Sequence, residues 1–158
     1  MDTSIGDRTF SIPAFGYLTD GLGDLVRAAL RIATGEGFVG VLFDEEPQCW
    51  GLALEPAGLT HDNRRVARLT IRDGRRFVNA GGRSDLPVWE WDAQPVLDGH
   101  TCTDEFARAV QVVAAHAREK YDDKTYRERW GHFGSLEGFP LRGLRALEVA
   151  LEIPEYRE

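Results

Sequence analysis

The spacing of the apolar residues changes twice along this chain, and the change limits the folds that it can adopt. Apolar residues recur at helical spacing in 22–33, alternate with polar residues in 65–72, and return to helical spacing from 106 onward. A period of three to four residues is typical of a helix buried on one side, and alternation is typical of a half-buried strand. The chain is therefore predicted to be an α+β protein with an N-terminal strand and helix, an antiparallel meander of four to six strands, and C-terminal helices packed on one sheet face.

Local signals set the expected limits of these elements. The pair Thr19-Asp20 offers an N-cap for the first helix, and Gly35 is a candidate for its left-handed C-terminal cap. The pair Asp73-Gly74 is the strongest signal for a tight hairpin turn, and Thr103 is a candidate N-cap for the second long helix. Strands are predicted at 8–15, 38–43, 49–54, 65–72, 76–79 and 88–91, a loop from 55, and helices at 22–33, 103–121, 124–130 and 140–151.

Size, composition and charge exclude several classes of protein. A length of 158 residues without repeats or linkers indicates one domain, in which residues 1–7 are expected to be flexible. The 42% of hydrophobic residues argues against wholesale disorder. A formal net charge of −7 disfavours nucleic acid and anionic membranes as partners, and it favours a basic protein partner or simply solubility. The N-terminus lacks a signal-peptide pattern and no apolar run could span a membrane, so a cytoplasmic location is expected.

Two strings resemble catalytic motifs but stand in the wrong context. Residues 35–40 match GxGxxG, yet they follow a predicted helix and open a strand, the reverse of a dinucleotide-binding loop. Ser135 is displaced from the GxSxG spacing, and no predicted strand precedes it. The two cysteines, Cys49 and Cys102, form no CxxC pair. The motifs therefore assign no catalytic residue, no metal and no cofactor.

An acidic and aromatic surface is the preferred hypothesis for function. The run 44–46 is either a solvated hairpin tip or a negative interaction patch. Trp89, Trp91 and Trp130 either fill the core or anchor an interface. The candidate partner-binding residues are Asp44, Glu45, Glu46, Asp122, Asp123 and Trp130.

A small enzyme or small-ligand-binding protein, with a pocket between the sheet and the helices, is the alternative hypothesis. His100 and Cys102 could ligate zinc, or Cys102 could act as a nucleophile, although a capped loop entering a helix explains the same residues. Arginines near the predicted hairpin could recognise an acidic substrate, although a solvated outer sheet face paired with nearby carboxylates is the favoured explanation. The candidate pocket residues are His100, Cys102, Asp104, Glu90, His116, Arg68 and Arg72.

The layout of the chain resembles that of the small acidic α+β immunity proteins that bacteria encode beside polymorphic toxins. The features that carry the resemblance are the helix 22–33, the meander 38–79 and the Trp- and Leu-rich helical end 126–151. The resemblance implies an inhibitor or regulator that blocks a toxin active site or docks beside it. The implied partner is a basic toxin or enzyme, and the chain itself is expected to be a monomer or homodimer. Because only the layout is similar, no functional residue carries over.

Overall fold

The computed structural model describes residues 2–5, 8–11, 20–45, 48–74, 94–130 and 138–152. The predicted strands at 76–79 and 88–91 lie outside these residues. The described elements are β1 (Asp2–Ile5), β2 (Arg8–Ser11), α1 (Gly21–Ala33), β3 (Val39–Glu45), β4 (Gln48–Leu59), β5 (Arg65–Gly74), β6 (Leu97–Cys102), α2 (Thr103–Lys120), α3 (Asp123–Trp130) and α4 (Leu141–Glu152).

Strands β3 to β6 form one antiparallel sheet in chain order. This meander of four strands, together with the helices, confirms the predicted α+β class. In its register Leu54 lies between Val39 of β3 and Leu69 of β5. Strands β1 and β2 pair in a separate hairpin. Strand β1 therefore lies within the segment 1–7 for which the sequence predicts flexibility.

One face of the four-stranded sheet is apolar, and helices cover it. On β5 the residues Ala67, Leu69 and Ile71 are at most 2% exposed, as the alternation in 65–72 predicts. Helix α1 packs along β3, and α2 packs on β5 and β6. This inner face also contains the buried side chains of Val39, Val41, Phe43, Trp50, Leu52, Leu54 and Leu97.

Helix α1 begins and ends where the sequence predicts. The Asp20 carboxylate accepts a hydrogen bond of 3.0 Å from the backbone N–H of Gly23, and Gly35 follows the helix with a φ of 87°. Helix α2 differs by one residue, because its N-cap is Cys102 and Thr103 is its first helical residue. Helix α4 packs against α1, with Gly143 next to the buried Val26.

Two predicted strand ends are wrong. Strand β4 continues through the expected loop at 55–58 to Leu59, with a register shift between Pro56 and Gly58. A proline is tolerated there because the pairing with β3 ends at Leu54, so that β5 is the one strand among the described residues that pairs with this part of β4. Asp73 and Gly74 form no tight turn, since both belong to β5 and face β4. Pairing with a long strand outweighs the local turn preference.

Candidate functional site on the outer sheet face

The second face of the sheet, here called the outer face, carries most of the chemistry that the sequence singles out. Its residues alternate with those of the inner face along each strand. Small and apolar residues lie on β3 and β4, and charged residues concentrate on β5 and β6. The described outer-face residues are Gly40, Leu42, Gly51, Ala53, Glu55, Val66, Arg68, Thr70, Arg72, Asp98, His100 and Cys102.

A two-point ion pair joins β5 to β6 on this face. Arg68 donates hydrogen bonds of 2.9 and 2.7 Å from Nε and Nη2 to the two carboxylate oxygens of Asp98. The Arg68 guanidinium lowers the pKa of Asp98, with smaller contributions from His100 and Arg72, and Asp98 in turn raises the pKa of Arg68. Both side chains are held in place although they are partly exposed. Such a pair adds little stability, but it presents charges in a fixed geometry.

His100 lies directly across from Arg68 in the register of β5 and β6. Its side chain is exposed. Arg72 is half-buried and lies four residues after Arg68 on β5, close enough to lower the pKa of Asp98. Three basic side chains and the Asp98 carboxylate thus lie on the outer face of two neighbouring strands. The basic residues are Arg68, Arg72 and His100.

An exposed aromatic ring stands at the opposite side of the same face. Phe38 is 52% exposed, and a Cβ atom at Gly40 would lie 3.5 Å from its ring. In the register, Gly40 is followed across the sheet by Ala53, Thr70 and Asp98. Two strand spacings, about 10 Å, separate β3 from the strand of Arg68, and three spacings, about 14 Å, separate it from the strand of Asp98. The aromatic ring and the fixed charges therefore stand on one face with short side chains between them.

Cys102 lies at the end of β6, where a second charge cluster forms at the start of α2. Arg64 Nη2 donates hydrogen bonds of 2.8 Å to Asp104 Oδ1 and of 2.8 Å to Glu105 Oε1. A helix N-terminus ordinarily lowers the pKa of a thiol. Here burial, followed by the charge of Glu105, raises the pKa of Cys102. A raised pKa leaves less thiolate at neutral pH, which argues against Cys102 as a nucleophile.

The structure brings together some of the candidate pocket residues but not all of them. Arg68, Arg72, His100 and Cys102 share the outer face, which is turned away from α1 and α2. The alternative hypothesis instead requires a pocket between the sheet and the helices. Of the remaining candidates, Asp104 lies near Cys102 on the first turn of α2 and is paired with Arg64. His116 is exposed near the far end of α2, and Glu90 lies outside the described residues.

The candidate partner-binding residues occupy two places. Asp44 and Glu45 are the last residues of β3, at its turn into β4, and Glu46 lies outside the described residues. Asp122 is exposed and accepts a hydrogen bond of 2.7 Å from the backbone N–H of Thr125, which lowers the pKa of Asp122. It therefore caps the start of α3. Asp123 is exposed on the first turn of α3, and Trp130 ends that helix.

The surface around α3 is mixed in charge rather than acidic. Besides its carboxylates, α3 carries Lys124, Arg127 and Arg129, and Arg129 stacks over the Tyr121 ring at 5.2 Å. Across the side chains that the structure describes, basic and acidic residues are nearly equal in number. The densest group of acidic residues in the chain is the run 44–46.

The sequence alone gives little indication that Phe38 is exposed or that Asp98 and Arg64 form ion pairs. The run 38–43 is almost entirely apolar, so its periodicity does not show which of its residues face outward. The pairs that Asp98 and Arg64 form join residues 30 to 41 positions apart. A register across two strands is needed to find them.

Among the side chains that the structure describes, no group of three His, Cys, Asp or Glu residues is placed to hold a metal ion. None of the described helices combines the length and the apolar character needed to cross a membrane. Comparison with protein-family models, with curated proteins and with solved structures finds no significant match.

Proposed function

We propose that this protein binds another protein through the outer face of the sheet and the acidic turn at 44–46, and that it inhibits or regulates that partner. The partner is a basic toxin or enzyme, as for the immunity proteins of bacterial toxin systems, and binding takes place in the cytoplasm. Long-range attraction between the acidic turn and a basic partner would speed their association. The outer face would then supply the close contacts.

The observation that carries this proposal is the exposed Phe38 ring on the same sheet face as the Arg68–Asp98 pair. Aromatic and arginine side chains are enriched among the residues that dominate binding energies. Because Asp98 already fixes Arg68, less side-chain entropy is lost when a partner docks. Phe38, Arg68 and His100 are exposed on this face, where a partner can reach them, although Thr70 at its centre is buried.

The enzyme alternative is supported by the presence of Arg68, Arg72 and His100 on one face, where they could hold an anionic substrate. The raised pKa of Cys102, the candidate nucleophile, argues against this alternative. Asp104, a candidate acid or base, is held by Arg64. General acid–base catalysis requires such groups within hydrogen-bond reach of one reacting proton. We therefore favour protein binding.

The test is a pull-down of the tagged chain from its native host, quantified by mass spectrometry. The wild type is compared with a triple charge reversal, Asp44→Lys, Glu45→Lys and Glu46→Lys. A double reversal on α4, Glu148→Lys and Glu152→Lys, controls for a general effect of net charge. We expect one basic protein in stoichiometric amount with the wild type and with the α4 variant, and a several-fold loss with the triple variant.

Two outcomes would overturn the proposal. If no protein is recovered in stoichiometric amount but a metabolite or metal is retained, the chain is a ligand-binding protein or an enzyme, and alanine variants of His100 and Cys102 become the next experiment. If the partner is recovered equally with all three proteins, the acidic turn takes no part in binding.

A further inference from the structure

Helix α3 packs less closely on the other described elements than α1, α2 and α4 do. Its backbone has at most marginal contact with any other described element, whereas α1, α2 and α4 pack on one another. Among its described side chains, Tyr126 alone is buried, at 1% exposed, and the others are exposed or half-buried. Among the side chains of 123–129, Tyr126 therefore contributes most of the burial.

Tyr126 reaches the N-terminus of α1. Its hydroxyl donates a hydrogen bond to Oδ1 of Asp20, the same oxygen that accepts from the Gly23 N–H. Asp20 is itself only 6% exposed. Burial and this hydrogen bond both raise the pKa of Tyr126, so the phenol stays a donor at any physiological pH. The contact thus joins α3 to the cap of α1.

The residues around the Tyr126 ring lie near the ends of helices, with Arg118 close to the end of α2 and Phe139 just before α4. Phe139 packs edge-on against the Tyr126 ring at 5.2 Å between ring centroids, and the Arg118 guanidinium lies 5.3 Å from the Phe139 ring. Within the described residues, two further contacts of α3 are to positions close in the chain, namely the Arg129–Tyr121 stack and the approach of Arg127 to Gly138. Tyr126 and Phe139 belong to the same buried cluster as the core residues of α1, α2 and α4, so Tyr126 is a point at which α3 joins the core.

We propose that α3 is a latch, meaning a helix that opens as a local unit and that the hydrogen bond from Tyr126 to Asp20 holds closed. Opening withdraws Tyr126, exposes the Phe139 ring and the Asp20 carboxylate, and leaves the other helices folded. Local opening of this kind requires less free energy than global unfolding, and it is expected where a segment buries few apolar contacts. This inference is independent of the proposed function.

Amide hydrogen exchange resolved by residue tests the latch. In the wild type, amides 125–129 of α3 are expected to exchange faster than the core amides 110–117 of α2. Low concentrations of guanidinium should accelerate the α2 amides while leaving α3 nearly unchanged, because local opening exposes little surface. Equal protection of α3 and α2, with the same denaturant dependence, would overturn the proposal without any variant.

Tyr126→Phe and the matched Tyr121→Phe provide the second test. Tyr126→Phe removes the hydroxyl that reaches Asp20, and exchange in 125–129 should become about 10-fold to 100-fold faster, in line with the loss of a hydrogen bond to a charged group. Tyr121→Phe leaves the Asp20 contact in place and should not change α3. If Tyr126→Phe accelerates α2 and α3 by the same factor, Tyr126 stabilises the whole fold and is not a latch.

Discussion

The hydroxyl of Tyr126 and the backbone N–H of Gly23 donate hydrogen bonds to the same carboxylate oxygen, Oδ1 of Asp20. Asp20 therefore caps α1 and holds α3 with one atom. A Cβ atom at Gly23 would fall 2.1 Å from Oδ2 of this carboxylate. A glycine at this position thus leaves room for the buried acid.

Asp20→Ala is expected to destabilise the protein by about 2–4 kcal/mol, because it removes an N-cap and leaves the Tyr126 hydroxyl buried without this acceptor. Asp20→Asn keeps an acceptor oxygen and should cost clearly less. Denaturant unfolding of both variants, followed by circular dichroism, measures the difference. Equal losses would show that the cap and the tyrosine contact do not depend on a side-chain acceptor.

Gly143→Ala is expected to destabilise the protein although alanine favours helices by about 1 kcal/mol over glycine. A Cβ at Gly143 would lie 2.8 Å from Cγ1 of Val26, which is fully buried and stiff because it is β-branched. Overpacking of this kind costs about 1–3 kcal/mol. The control is Gly37→Ala, since nothing lies within 4 Å of a Cβ there. In a Val26→Ala background the effect of Gly143→Ala should shrink or reverse, and an unchanged effect would rule out the contact as its cause.

Cys102 should react slowly with iodoacetamide near neutral pH. In a Cys49→Ser background, the pH midpoint of its alkylation rate is expected above about 8.5, the ordinary value of a thiol. Glu105→Gln should move this midpoint down, because the charge of Glu105 is the second cause of the raised pKa after burial. A wild-type midpoint below 8.5 would restore Cys102 as a candidate nucleophile.

The Arg68–Asp98 pair should contribute to stability at neutral pH and lose that contribution in acid. Arg68 lowers the pKa of Asp98 in the folded protein, whereas the unfolded carboxyl titrates near its ordinary value of about 3.9. The contribution is therefore complete above that ordinary value and is lost as pH falls through the lowered one. Urea midpoints at pH 7 and at pH 3 should differ less for Asp98→Asn than for the wild type. The pair makes no such contribution if the two proteins show the same difference.

The sequence predicts much of this fold because its strongest signals are local. The Asp20 cap, the helical spacing after it and the alternation around Leu69 each depend on neighbouring residues, and the structure confirms all three. The errors come from long-range pairing. Asp73-Gly74 favours a turn locally, but the register with β4 keeps both residues in a strand.

The candidate site was less accessible to prediction, because its geometry depends on which residues face each other across strands. Arg68 and His100 could be named from residue type, but their shared face follows only from the β5–β6 register. The exposure of Phe38 has no sequence signal, since an apolar run such as 38–43 predicts burial for all its members.

The central claim is most directly tested by isothermal titration of the captured basic protein into purified wild type, Phe38→Ser and Val149→Ser. Phe38 and Val149 have closely similar exposure, at 52% and 55%, but Val149 lies on α4, away from the sheet. We expect a stoichiometric complex with the wild type, the same affinity for Val149→Ser, and an affinity for Phe38→Ser that is at least about 10-fold weaker, as for a residue that dominates an interface. Equal affinities for all three proteins would contradict binding through the outer face.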